Sequence, residues 1–94
     1  MACVTDLSCY TTARWSGVRV VHGRRAAERL ARDSAALGLG AIDVGFALAE
    51  MTRLGAYRFG AQPGIVRLEA RRDAHGALTL AGAARALGPD PATW

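Results

Sequence analysis

Apolar and small residues recur at helical spacing in the stretch His22 to Leu37, HGRRAAERLARDSAAL. At 3.6 residues per turn, Ala26, Ala27, Leu30, Ala31, Ser34 and Leu37 share one stripe, which predicts an amphipathic helix lying close against a sheet. Arg24, Glu28, Arg29, Arg32 and Asp33 occupy the other side, where Arg24–Glu28, Glu28–Arg32 and Arg29–Asp33 are opposite charges four residues apart. Gly23 is read as a permissive N-cap and Gly38 as the left-handed residue just past the end. Ahead of this helix, Gly17 leads into the β-branched run Val18, Val20, Val21, which predicts a strand of about five residues.

Beyond the break at Gly38-Leu39-Gly40, the segment 41–54 has two readings. Ile42, Val44, Phe46 and Leu48 alternate as in a strand, whereas Val44, Leu48, Met51 and Leu54 fall at helical spacing. Alanine, leucine, methionine and glutamate favour helix over 46–53. On either reading the segment is mostly buried, with Asp43, Glu50, Thr52 and Arg53 as its solvent contacts. The glycine-rich stretch GAYRFGAQPG over 55–64 is read as a short extended piece ending in a turn. A hairpin follows. Val66, Leu68 and Ala70 point one way and Arg67, Glu69 and Arg71 the other; Leu78 and Leu80 return inward across the turn Asp73-Ala74-His75-Gly76, with Thr79 outward. Residues 83–87 are either the end of that strand or one helical turn.

The order strand, helix, ambiguous segment, hairpin predicts a small single α+β domain: an antiparallel sheet packed on one main helix. Residues 1–16 form an irregular N-terminal segment or one short strand, 17–88 the domain, and 89–94 a C-terminal tail. A chain of 94 residues supports one core, because at this size only about 60–70% of the unfolded surface is buried. All twelve basic residues are arginine and the net charge is +4. The arginines are spread from Arg14 to Arg85, several of them four residues from an acid, so they read as a solvated surface and nucleic acid is disfavoured as a partner. Cys3 and Cys9 have no second pair to complete a structural zinc set, and no metal or cofactor is expected. No apolar run approaches the ~18–20 residues of a membrane span. The first fifteen residues lack the pattern of a secretory signal, so a cytoplasmic protein is expected.

His22-Gly23 opening a helix, Arg58-Phe59, then Pro63-Gly64 followed by Val66, Leu68 and Glu69-Ala70 resemble the C-terminal half of hotdog-fold proteins, most nearly the MaoC-like hydratases. The resemblance spans roughly residues 20 to 87 and rests on short motifs. It implies a hotdog-like sheet wrapped around a helix, a homodimer joined through sheet edges, and an acyl thioester, such as an acyl-CoA, with its carbonyl near the helix start. Ligand-binding residues are then His22, Gly23, Arg24 and Arg25, because free amides and the positive end of the helix polarise a carbonyl or hold an anion. His22 and Glu50 are the only candidates for catalysis. The upstream Asp and His of those hydratases, separated by an Asn-Pro, have no counterpart before Val21, where Asp6 has no histidine near it, and the interval from Phe59 to Pro63 is shorter than theirs. Phenazine-biosynthesis-type isomerases end in a similar hairpin, with their catalytic acid in a portion this chain lacks. A non-catalytic interaction or subunit-like protein is therefore the alternative to an enzyme. A further alternative is a DNA-binding regulator fragment, since residues 78–88 followed by Pro91-Ala92-Thr93 resemble the first helix and turn of a helix-turn-helix, with the chain ending where the recognition helix would begin.

Overall fold

In the computed structural model, which describes residues 8–86, the sheet is built around β1 (Ser8–Trp15). Thr11, Ala13 and Trp15 are buried and alternate with exposed Tyr10, Thr12 and Arg14, a half-buried strand whose inward residues are small or polar until the tryptophan. Of the two readings left for the first sixteen residues, a strand is therefore present. It pairs antiparallel with β3 (Gly64–Arg72) from Ser8 opposite Arg71 to Trp15 opposite Gly64. β3 in turn pairs with β4 (Leu78–Ala86), giving the order β2-β1-β3-β4.

β2 is only Val20–Val21, paired with Trp15 and Arg14, and so is shorter than the five residues expected. Val18 is 83% exposed in the preceding turn, where the Ser16 hydroxyl accepts hydrogen bonds from the amides of Val18 and Arg19 at 3.2 and 3.1 Å. The serine thus satisfies backbone groups that a longer strand would have paired. Gly17, at φ 99°, sits so close to the Ala61 carbonyl that a side chain would collide with it.

α1 (Gly23–Ala36) buries Gly23, Ala27, Leu30 and Ser34, while Ala26 and Ala31 are half-buried. Leu37 is 41% exposed and lies off the buried stripe. The capping residue is His22, not Gly23; the glycine is inside the helix because a β-carbon there would lie 2.5 Å from Leu48. The end is as expected: Gly38 is left-handed at φ 76° and the Leu39 amide returns to the Ser34 carbonyl at 2.9 Å. The Ser34 hydroxyl donates to the Gly40 carbonyl at 2.8 Å, tying the inter-helix loop to the core.

The ambiguous segment is helical. α2 (Val44–Phe59) starts at Asp43, whose carboxylate accepts the Phe46 amide at 3.0 Å, and it buries Ala47, Met51 and Gly55 four residues apart. The strand pattern does not operate, and Phe46, one of its apolar positions, is 55% exposed. The extended piece expected over 55–64 is also corrected, since the helix runs on to Phe59 and ends at Gly60. Gly55 is in that helix because the Trp15 ring lies on it. Trp15 donates its indole N–H to the Gly60 carbonyl at 2.8 Å, fixing the end of α2 on β1.

The hairpin follows the predicted alternation, with Val66, Leu68 and Ala70 buried and Leu78 and Leu80 half-buried. The Asp73 carboxylate accepts the amides of His75 and Ala77 at 2.8 and 2.9 Å, so His75 is an exposed turn residue. Residues 78–86 are strand, so the first helix of a helix-turn-helix is not formed there; the proposed turn at 91–93 lies outside the described residues. Two helices, rather than one main helix, cover one face of the four-stranded sheet. The core gathers Trp15, Leu30, Met51, Val66 and Leu68, each such side chain contributing roughly 1.5–3 kcal/mol by leaving water. The result is a small α+β domain.

Candidate functional site

The chain passes from β2 into α1 within one residue, and that residue takes the bend. His22 has φ 53° and ψ 34°, the only non-glycine residue with positive φ among the described residues. Its carbonyl already accepts the Ala26 amide at 3.0 Å. Among the described residues no side chain caps the helix, and its first turn holds no acid. The amides of Gly23, Arg24 and Arg25 therefore lack an intrahelical partner and add to the positive end of the helix dipole.

Arginines crowd this end. Arg19 from the β1–β2 turn, with His22, Arg24 and Arg25, lines a hollow of about 480 Å³ together with Val20, Gly23 and Glu28. Arg24 is bound to Glu28 at 3.5 Å, and both side chains are well exposed, so that pair holds little energy. The other two ion pairs expected on α1 are absent among the described residues. Arg19 and Arg25 have no ion-pair partner there either. Beside the hollow, a groove of about 290 Å³ runs between α1 and the edge of β1. His22 and Arg25 line both spaces, Arg14 and Arg29 join in the groove, and its apolar floor is Ala13, Val21 and Ala26.

All four ligand-binding residues expected from the sequence thus meet at one place. Gly23 does so as backbone only, since its buried side faces Val20 and Leu48. Arg14, Arg19 and Arg29 were missed; the turn that swings Arg19 beside α1 leaves no periodic signal.

Glu50 is elsewhere. It lines a hollow of about 420 Å³ with Phe46, Leu78 and Leu80, and accepts a hydrogen bond from Arg53 at 2.7 Å. His22 and Glu50 line separate spaces and do not form an acid–base pair. Cys9 is a free, half-buried thiol of β1. Burial, then the negative charges of Asp33 and Glu69, pushes it above the ordinary thiol range. Among the described residues no three His, Cys, Asp or Glu side chains are grouped to hold a metal ion. No described helix is long and apolar enough to cross a membrane.

Fold and site together define a small α+β domain with a basic hollow at an uncapped helix start. No protein-family model, curated protein or solved structure matches the chain.

Proposed function

We propose that this chain is a non-catalytic, cytoplasmic, hotdog-like binding domain for an acyl thioester of the acyl-CoA kind, held at the start of α1. The observation that carries the reading is an electrostatic mismatch. A helix start favours acids, yet this one has no acid in its first turn and places Arg24 and Arg25 there, with Arg19 adjacent. Each like-signed contact with the dipole costs on the order of 0.3–1 kcal/mol. A bound anion removes that cost and satisfies the open amides at once.

The hollow suits the phosphates of such a ligand, with Arg19 and Arg25 as guanidinium groups that have no ion-pair partner among the described residues. The adjoining floor of Ala13, Val21 and Ala26 suits a short acyl group. The thioester carbonyl then lies near His22 and the amides of Gly23 and Arg24. His22 and Glu50, the two candidates for acid–base work, line separate spaces, which favours binding without turnover.

Calorimetric titration with butyryl-CoA tests the proposal. Binding in the micromolar to millimolar range is expected, weakened at least tenfold in an Arg19→Ala/Arg25→Ala variant. No heat and no thermal shift at millimolar ligand would refute it.

A second reading, self-association as a homodimer, is supported by β4. This strand is nine residues long, free of proline and acid, and among the described residues it is hydrogen-bonded on one side. Exposed Phe46 stands beside its Leu78 and Leu80. Sedimentation should give a dimer that Ala81→Pro dissociates; a monomer at high concentration would end this reading.

A further inference from the structure

The face of the sheet turned away from the helices collects arginines that are far apart in the sequence. Arg14 on β1, Arg67 and Arg71 on β3 and Arg85 on β4 all project from it, against a single acid, Glu69. Glu69 lies 3.9 Å from Arg71 and offsets part of one charge. Arg14 and Arg85 stand on either side of Ile65. Arg67 lies with its guanidinium 3.9 Å from the centre of the Tyr10 ring, a stacked pair on the exposed surface. Between these side chains the floor is small: Thr12 and Ala83 flank Arg67, and Ala81 faces Glu69.

We infer that this open sheet face is a binding platform for single-stranded nucleic acid, distinct from the α1 hollow, with Thr12 and Arg14 at its margin also lining the groove beside that hollow. Four arginines against one glutamate oppose the stacking of a second copy on the same face, because like charges would meet. A covering apolar layer would have to desolvate four guanidinium groups with Glu69 offsetting part of one. A polyanion fits that charge. Among polyanions, a single strand also uses the other two features. Its bases stack on the Tyr10–Arg67 pair and lie flat over the small floor, while its phosphates accept from the guanidinium groups. A lipid surface would draw on projecting apolar side chains, but Ile65 is half-buried between two arginines and Tyr10, 54% exposed, carries the Arg67 guanidinium over its ring.

Fluorescence anisotropy with a labelled twelve-nucleotide oligo-dT at low salt tests the inference. Four contacts at about 0.7 per phosphate predict a slope of log affinity against log salt near about −3. Arg67→Glu/Arg71→Glu should weaken binding at least tenfold, and Arg85→Glu, at the sheet edge, serves if the double variant does not fold. Tyr10→Ala should weaken it about fivefold or more without changing the slope. Arg32→Glu on α1 and Arg19→Ala/Arg25→Ala in the hollow should change it less than twofold, which separates this platform from the acyl-thioester site. No binding at low salt would overturn the inference. So would equal loss in the Arg32→Glu variant, or competition by polyglutamate or phosphatidylserine vesicles at the same charge concentration with no effect of Tyr10→Ala.

Discussion

Gly55→Ala is the substitution whose sign follows most directly from the structure. In an open mid-helix position this change gains about 0.5–1 kcal/mol, because alanine loses less backbone freedom on folding. At Gly55 the new β-carbon would lie 2.5 Å from two carbons of the Trp15 indole and 2.9 Å from a third. The ring has little room to give, being 3% exposed and held by its N–H at 2.8 Å to the Gly60 carbonyl. Overpacking costs roughly 1–3 kcal/mol, and against a ring held this way the upper half, about 2–3 kcal/mol, applies, so the net change is a loss of about 1–2.5 kcal/mol. For a domain of this size that lowers the melting temperature by about 4–20 °C. Urea titration followed by circular dichroism measures it. In a Trp15→Leu background, where the ring is gone, the same change should be neutral or stabilising by up to about 1 kcal/mol. A Gly55→Ala protein as stable as the parent would refute the close packing of α2 on β1.

Other substitutions test separate joints. Ser34→Ala removes the bond to the Gly40 carbonyl and should cost about 1–2 kcal/mol, seen as a lower urea midpoint at unchanged slope; an unchanged midpoint would dissociate Ser34 from the loop. His22→Gly relieves a left-handed residue and should raise stability by about 1 kcal/mol in thermal melts, while a loss would show that the imidazole holds the junction. The raised Cys9 pKa makes the native state hold the thiol proton longer than the unfolded chain does. Its contribution to stability is complete below the ordinary thiol value and is lost as pH climbs through the higher native value. In a Cys3→Ala background, alkylation by iodoacetamide should follow a pH curve displaced upward from that in urea, and coincident curves would contradict this.

What the sequence revealed depended on how large its inward residues are. The hairpin was legible because Val66, Leu68 and Ala70 alternate with charged residues, and α1 because Ala27 and Leu30 recur at helical spacing. β1 was not, since its inward positions are Thr11 and Ala13 until Trp15. The second half of α2 was hidden because Gly55 serves a partner forty residues away and carries no helical signal of its own. Val18 looked like strand by propensity, but Ser16 captures the local amides and makes a turn. At the candidate site, His22 to Arg25 were identifiable as neighbours in sequence. Arg19 reaches it through the β1–β2 turn and Arg14 from β1 itself. The outer arginines are dispersed along the sequence, and only the strand register brings Arg14, Arg67, Arg71 and Arg85 onto one face.

If open amides at the start of α1 receive an anionic acyl thioester, amide-resolved NMR during titration with butyryl-CoA will show it. The largest, saturable shifts should fall on the N–H groups of Gly23, Arg24 and Arg25, with those of Gly45 and Phe46 at the start of α2 unmoved. Shifts centred on α2, or none at millimolar ligand, would contradict it.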